Sequence, residues 1–268
     1  MDVFNWHEAL LPYEQAVTEL TAKFNGLSDE YEKSKQHSPI DSVYGRVKSV
    51  VSILDKANRK HIPLDAVFEK MEDIAGMRIV TRFAADIQVI IELLRKRSDH
   101  DLKIIEERDY ITNKKPSGYK SYHMLCKYTV MGLNGGKEVW VEIQIRTLAM
   151  NFWAIIEHSL IYKYNGNIPL DIKRRLLNAA EAAYALDNEM SMMHGEIKEA
   201  QKVILVRKNI VDGIVAKLRN LYYIASIEQA NDLNRQFIDL YQECDIDKLT
   251  EFDEKLTVIA RLCKAEYV

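Results

Sequence analysis

The feature that most constrains this fold is a block of strand-like segments in the middle of the chain, with helical patterns before and after it. The alternation is most regular over residues 139–147, VWVEIQIRT, where aliphatic side chains alternate with Glu142, Gln144 and Arg146. An ordinary half-buried strand has the same alternation, with its polar side in water. The pattern alone therefore leaves open whether these three polar side chains face solvent or a functional site.

The rest of the pattern places strands only in the middle of the chain. Strands are predicted over residues 71–80, 102–110, 117–130 and 136–146, and helices over 3–27, 42–60, 86–97 and from Thr147 onward. Segments 119–130 and 138–146, joined by the Gly-containing MGLNGG, are typical of an antiparallel hairpin. We expect an α/β (α+β) fold, with a central mixed, mostly antiparallel sheet of about five strands flanked by helices.

The helix predicted over residues 170–200 carries apolar side chains at four-three spacing, which is typical of a coiled-coil seam. The seam consists of Ile172, Leu176, Ala179, Ala183, Leu186, Met190, Met193 and Ile197. With the first helix it could pack within one chain or between chains. Further amphipathic helices are expected over residues 203–268.

Composition narrows the function classes. With 47% hydrophobic residues in 268, the chain is neither disordered nor collagen-like. Its apolar runs are too short for a membrane span and the N-terminus lacks a secretory signal pattern, so we expect a cytoplasmic protein with no membrane partner. Three cysteines without CxxC spacing argue against a disulfide framework or a thiolate metal site. Net charge is −3, yet cations concentrate at 46–61 and at Lys114, Lys115 and Lys120, which suits a small phosphorylated ligand.

The predicted second helix carries a row of polar side chains. Lys48, Ser52, Lys56 and Arg59 are spaced four, four and three residues apart, which aligns them on one face, and Arg46 lies at the start of the helix. The row is either a solvated face, since charged residues are mostly exposed, or a binding surface for a polyphosphate.

Two strands supply further candidates. Tyr119, Ser121 and His123 share a face by the two-residue period, and a hairpin register can bring that face next to Glu142. Each of these residues taken alone is more typical of packing or of a structural hydrogen bond. Asp73 is expected to open the first strand, with Arg78 on the opposite face.

Two carboxylates on adjacent strands form a better candidate site than either alone. Mg²⁺ takes oxygen ligands and is commonly bound by one or two carboxylates together with the phosphates of the substrate. Asp73 and Glu142 are therefore the candidate metal ligands.

In order along the chain, GRVKSVVSIL, EDIAGMRIV, ERDYI, KPSGYKSYH and VEIQIRTLAMNFWAIIEHSLIYKY resemble the synthetase domain of the RelA/SpoT family, and more narrowly the small alarmone synthetases of the RelQ type. The resemblance covers roughly residues 1–200. It implies a nucleotidyltransferase-like synthetase domain over 1–200 with oligomerisation helices at both ends, and a helical extension of unassigned role over 201–268.

The resemblance also implies an activity, namely transfer of the β,γ-pyrophosphate of ATP to the 3′-hydroxyl of GDP or GTP, without a hydrolase domain. Catalytic roles would fall to Glu142, Asp73 and His123, with Mg²⁺ on Asp73 and Glu142. The implied ATP ligands are Arg46, Lys48, Ser52, Lys56, Arg59 and Arg78. The implied GDP or GTP ligands are Arg108, Lys115, Tyr119, His123, Gln144 and Asn151.

Further expectations concern assembly and rival functions. The resemblance implies a homotetramer, with pppGpp or single-stranded RNA as candidate regulators. Two alternatives stay open, a nucleotidyltransferase that moves AMP and a scaffold that binds nucleotide or RNA without catalysis. The leaving group separates the two enzymes, and salt-sensitive RNA binding that is independent of Glu142 would favour the scaffold.

Overall fold

The structure, a computed structural model, describes residues 5–98, 100–113, 115–133, 135–163, 169–224 and 226–265. Residues 3–4 of the first predicted helix and Lys114 lie outside this set. By packing, the chain divides into two compact units, Met1–Met192 and Met193–Val268. No helix in the described ranges combines the length and the apolar character that crossing a bilayer requires.

Five strands form one mixed sheet in the order β1-β2-β5-β4-β3, as expected. The strands are β1 Ser42–Val47, β2 Ala75–Thr81, β3 Leu102–Asp109, β4 Tyr122–Gly132 and β5 Gly135–Thr147. Only β2 and β5 pair in parallel, and the other three pairings are antiparallel. The predicted hairpin is the β4–β5 pair, whose ladder extends to Gly132 and Gly135.

Helices precede, interrupt and follow the sheet. They are α1 Trp6–Lys33, α2 Val50–Lys60, α3 Val67–Lys70 after a 3₁₀ turn at Leu64–Ala66, α4 Ala84–Arg97, α5 Leu148–Lys163, α6 Leu170–Ile224, α7 Ile227–Glu243 and α8 Ile246–Ala265. The first helix is longer than predicted and includes Pro12 in its early part without ending there. Its buried side chains, which include Tyr13, Leu20 and Phe24, pack on the sheet.

The helix predicted over residues 42–60 is wrong in its first eight residues, 42–49. Residues 42–47 form the edge strand β1, which pairs with β2, and the helix begins only at Val50. Ser49 caps it, since its side chain accepts a hydrogen bond from the backbone N–H of Ser52. Helical spacing of Val47, Val50, Val51 and Leu54 predicts an apolar core stripe on this helix, but its buried residues are Ile53 and Ala57, and Val51 is 69% exposed.

The alternation of β5 is confirmed by its burial. Val139, Val141, Ile143 and Ile145 lie in the core between the sheet and α1 or α4, with at most 1% of their surface exposed. Their polar neighbours lie on the opposite face of the sheet. That face carries the candidate site.

The first part of α6 packs through a face that differs from the predicted seam. Ala180 and Asp187 are its buried residues, whereas Leu186 and Met190 of the seam are 51% and 43% exposed. A contact through the whole seam, within one chain or between chains, stays a prediction. In the second unit, the end of α6 packs with α7 and α8 around Leu218, Leu249 and Leu256.

Candidate active site

A cavity of about 230 Å³ lies against the polar face of β1, β2 and β5. Arg46, Lys48, Asp73, Arg78 and Glu142 all line it. The parallel pairing of β2 with β5 sets Gly76 beside Glu142, so position 76 adds no side chain to the space next to that residue. Both acids, Asp73 and Glu142, also line a smaller neighbouring cavity. The structure therefore brings the two predicted carboxylates together.

Asp73 is the centre of a charged cluster. One carboxylate oxygen, Oδ2, accepts hydrogen bonds from Nζ of Lys48 and of Lys56, each at 2.5 Å. Burial alone would raise the pKa of Asp73, but these two ammonium groups outweigh it and lower the pKa. The other oxygen, Oδ1, is buried and has no hydrogen-bond partner among the described residues. One acceptor oxygen of the carboxylate is thus left without a donor.

The position of Asp73 corrects the expectation about Arg78. Asp73 lies two residues before β2 rather than at its first residue, so strand alternation does not separate the two side chains. Both line the same cavity without any bulge in β2. Lys48 likewise lies between β1 and α2, outside the helix face on which it was predicted.

A chain of hydrogen bonds leads from Arg146 to Glu142. Arg146 Nη2 donates to the Tyr119 hydroxyl at 2.9 Å, and that hydroxyl lies 2.8 Å from His123 Nε2. His123 Nδ1 lies 3.0 Å from Glu142 Oε1. If Tyr119 donates to Nε2, the histidine proton sits on Nδ1 and points at the carboxylate, and every group has a partner of the right kind.

Glu142 is held ionised by its neighbours. Burial would raise its pKa, but hydrogen bonds from His123 and from Gln144 Nε2, the latter at 2.8 Å, lower the pKa overall. The carboxylate is therefore a fixed negative charge at neutral pH, oriented by two side chains of the sheet. Ser121, predicted on the same face, instead lies before β4 and donates to the Ile145 carbonyl oxygen in the core.

Two guanidinium groups flank the other side of the cavity. Arg46 and Arg78 both line it, and burial together with the charge of Arg46 lowers the pKa of Arg78. Nε of Arg78 is buried without a hydrogen-bond partner among the described residues. Two arginine side chains lining one cavity suit a flat, electron-rich ring, on which guanidinium groups stack well.

An aromatic cluster surrounds the histidine. Tyr119 and Tyr110 both meet the His123 ring edge to face, with centroids 5.8 and 5.0 Å away. Lys115 Nζ lies 3.9 Å from the Tyr110 ring and 4.8 Å from the Tyr119 ring. Sequence reasoning gave no role to Tyr110, although it directly follows the Arg108 and Asp109 pair at the end of β3.

The remaining predicted ligands differ in their placement. Arg108 lines the smaller cavity but is bound by Glu106, at 2.6 and 2.7 Å, and by Glu72 at 3.1 Å. Asn151 lies in the first turn of α5, and its buried Oδ1 has no partner in the described part of the chain. Ser52 and Arg59 are exposed on α2 and line neither cavity.

Several known proteins are similar to this chain in sequence and in fold. A model of the region found in RelA / SpoT proteins matches residues 45–167. GTP pyrophosphokinase YjbM of Bacillus subtilis is 53% identical over 208 residues, which cover 78% of this chain and 97% of that protein. The chain belongs to the RelA/SpoT family. Within that family it is of the small alarmone synthetase type, as its sequence indicates.

Solved RelA/SpoT family structures have the same architecture. Small alarmone synthetase 1 from Bacillus subtilis, bound to its product pppGpp, matches with a TM-score of 0.68 and 53% identity over 72% of this chain and 97% of that chain. A GTP pyrophosphokinase family protein from Streptococcus pneumoniae matches with a TM-score of 0.70 and 49% identity, over 74% and 97%. The predicted synthetase fold is thereby confirmed.

Proposed function

We propose that this RelA/SpoT family chain is a GTP pyrophosphokinase that moves the β,γ-pyrophosphate of ATP to the 3′-hydroxyl of GDP or GTP, giving AMP and ppGpp or pppGpp. The observation that carries the proposal is that the two acidic side chains, each with its own hydrogen-bond partners, line the same cavity. Asp73, with its two lysines, and Glu142, with its histidine and tyrosine, face one cavity. The names of close relatives, GTP pyrophosphokinase and small alarmone synthetase, support the same reaction.

On the donor side, Arg46 and Arg78 hold the adenine ring between their guanidinium planes. Lys48 and Lys56 contact the phosphates, because their ammonium groups already converge within 2.5 Å of one carboxylate oxygen. Ser52 and Arg59 extend this surface along α2 toward solvent. Binding ATP moves the lysines from an internal carboxylate to the more highly charged polyphosphate.

The donor set of Asp73 and Glu142 fits a divalent cation. Asp73 Oδ1 is a buried oxygen without a donor, which is what an oxygen-seeking ion requires. The described residues contain no group of three or more His, Cys, Asp or Glu side chains that could hold a metal ion, so the phosphates of ATP would supply further ligands. Mg²⁺, the predicted cofactor, binds in this way. When bound, it neutralises charge on the transferred phosphates.

On the acceptor side, Tyr119 stacks on guanine, and Asn151 Oδ1 accepts from the polar edge of the base. Lys115 and Arg108 contact the 5′-phosphates of GDP or GTP, and Gln144 completes the wall beside Glu142. Arg108 must first leave Glu106 and Glu72. That exchange is favourable because a polyphosphate carries more charge than either carboxylate.

Glu142 accepts the proton of the 3′-hydroxyl as the 3′-oxygen forms its bond to the β-phosphorus of ATP. The bond between that phosphorus and the oxygen bridging to the α-phosphate breaks, and AMP leaves. His123 holds the carboxylate in place through Nδ1. A carboxylate with a lowered pKa is a weak base, so most of the acceleration comes from positioning and charge neutralisation.

The same proposal includes an assembly. Residues 1–200 would form the synthetase domain, which associates through its terminal helices into a homotetramer, and pppGpp or single-stranded RNA would regulate it. Residues 201–268 would form a separate extension. Size-exclusion chromatography with light scattering tests the oligomer, and a monomer at assay concentration would refute it.

The activity is tested by product analysis. Wild-type protein with ATP, Mg²⁺ and either GDP or GTP is expected to yield AMP and a guanosine tetra- or pentaphosphate on anion-exchange chromatography, and Glu142→Gln is expected to form both at least about a hundredfold more slowly. Release of pyrophosphate without consumption of guanine nucleotide would instead establish AMP transfer. Nucleotide or RNA binding with no turnover would establish a scaffold.

A further inference from the structure

The first part of α6 contacts the proposed acceptor side through a buried acid. Asp187 is 5% exposed, and its Oδ2 accepts a hydrogen bond from the Thr147 hydroxyl, with 2.5 Å between Oδ2 and Oγ1. Thr147 has no exposed surface and is the last residue of β5, directly after Arg146. Carboxylates are seldom buried this deeply unless a partner holds them. Asp187 therefore fixes the end of the strand that carries Glu142 and Gln144.

The contact continues into α5. Thr147 Oγ1 also accepts a hydrogen bond from the backbone N–H of Met150 at 3.1 Å, which caps the first turn of that helix. A hydroxyl that accepts from the helix needs an acceptor for its own proton, and Asp187 supplies it. Asn151 and Trp153 follow in this turn and the next. The hydroxyl that Asp187 holds therefore caps the helical turn that carries Asn151.

A second set of contacts places the same stretch of α6 against the loop that holds Tyr119. Trp153 Nε1 donates to the Leu176 carbonyl oxygen at 2.9 Å, and Trp153 and Ala180 form a buried cluster on which Tyr119 packs. Gly118 has φ +84°, and a Cβ built there would lie 2.7 Å from the Ala180 Cβ. The loop approaches α6 so closely that only glycine fits at this position.

We infer that Asp187 is a positioning residue for the acceptor nucleotide, acting through Thr147 on α5 and, together with Ala180, on the loop that carries Tyr119. The inference rests on the proposed function and adds to it a residue of α6 that touches neither nucleotide. The donor-side residues Arg46, Lys48 and Arg78 have no direct contact with Asp187 among the described residues, and the nearest link is the pairing of Thr147 with Thr81, three residues beyond Arg78 in β2. Removal of the Asp187 carboxylate is therefore expected to weaken the binding of GDP or GTP more than the binding of ATP.

The test is a comparison of kinetic constants for each substrate. Asp187→Ala is expected to raise KM for GTP about tenfold, the factor that corresponds to about 1.4 kcal/mol, and to leave KM for ATP within about twofold. Glu189→Ala is the matched control, because Glu189 is an exposed acid on the same helix two residues away. It is expected to change neither constant.

Variants of Thr147 separate positioning from general stability. Thr147→Ser keeps the hydroxyl and is expected to retain the wild-type KM for GTP, whereas Thr147→Val loses the hydrogen bond to Asp187 and the one from Met150, and is expected to raise KM for GTP at least as much as Asp187→Ala. The double variant is expected to be no worse than Thr147→Val, since the Asp187–Thr147 hydrogen bond is already absent there. If Asp187→Ala does not fold, Asp187→Asn keeps the volume and an acceptor oxygen, and a smaller increase confined to GTP is expected.

Binding measurements keep this inference distinct from the proposed reaction. The affinities of wild type and variants for GTP and for a non-hydrolysable ATP analogue are measured by calorimetry. If wild type binds GTP but forms no product, the proposed reaction is refuted. The inference about Asp187 is then judged from GTP binding alone, and weaker GTP binding by Asp187→Ala than by wild type would support it. If Asp187→Ala loses affinity equally for GTP and for the ATP analogue, or for neither, the inference is overturned. If wild type binds no GTP, both the proposed reaction and the inference are overturned.

Discussion

The charged cluster at Asp73 gives a prediction that can be worked out in energy. In Asp73→Asn the two lysines keep a polar neighbour but lose its negative charge. A hydrogen bond to a charged group contributes roughly 1.5–3 kcal/mol to stability. The side chains of Lys48, Lys56 and Asp73 remain 16%, 24% and 21% exposed, so solvent screens the pairs in part. We expect Asp73→Asn to lower the free energy of unfolding by about 2–3 kcal/mol in total.

The assay is thermal unfolding followed by circular dichroism in the absence of nucleotide. For a chain of this size the loss corresponds to a decrease in Tm of about 4–12 °C. Asp65→Asn, at an exposed acid of the nearby 3₁₀ turn, is the control and is expected to leave Tm unchanged. An unchanged Tm in Asp73→Asn would refute the view that this carboxylate holds the two lysines when no nucleotide is bound.

The effect has a definite pH dependence. The pKa of Asp73 is lowered in the folded protein, so its contribution to stability is present above the unfolded value of 3.8 and is lost as the pH falls through the lower folded value. The difference in Tm between wild type and Asp73→Asn is therefore expected to be full at neutral pH and to shrink only in strong acid. A difference that disappears between about pH 7 and pH 5 would contradict this assignment.

Three other predictions concern turnover and the acceptor side. Glu142→Gln is expected to lower kcat by about 10²–10⁴, the usual contribution of a proton-accepting group, with nucleotide binding retained; loss of binding instead would contradict that role. Glu106→Gln is expected to lower KM for GTP about two- to fivefold, because Arg108 is released from its exposed carboxylate partner, and an increase in KM would refute the exchange. Gly118→Ala is expected to raise KM for GTP and lower Tm, whereas Gly26→Ala, in α1 with open space around it, is expected to raise Tm slightly.

The sheet could be predicted because its strands alternate cleanly. β5 has aliphatic and polar side chains at a strict period of two, and a glycine-containing loop joins it to β4, so its existence, its pairing and its division into an aliphatic and a polar face followed from residue order. That the polar face forms a site followed only from the family resemblance. The edge strand β1 could not be found in this way. Val47, Val50 and Leu54 happen to follow helical spacing, and the signal that separates strand from helix is the cap at Ser49.

The charged residues of the site could be predicted from the sequence, but the contacts between its side chains could be predicted less well. Asp73 and Glu142 could be paired from neighbouring segments, but Asp73 was assigned to the strand when it lies in the preceding turn, so its relation to Arg78 was predicted wrongly. Tyr110 and Asp187 had no local pattern that marks them. Their roles arise from contacts with residues 13 and 40 positions away along the chain, which periodicity does not report.

The central claim is that a divalent cation binds between Asp73 and Glu142 when ATP is present. Crystals grown with a non-hydrolysable ATP analogue, GDP and Mn²⁺ would test it most directly, because manganese gives anomalous difference density. We predict one strong peak within about 2.0–2.4 Å of an oxygen of each carboxylate. A nucleotide-bound structure in which the metal lies elsewhere, or in which the two carboxylates face separate cavities, would contradict the account.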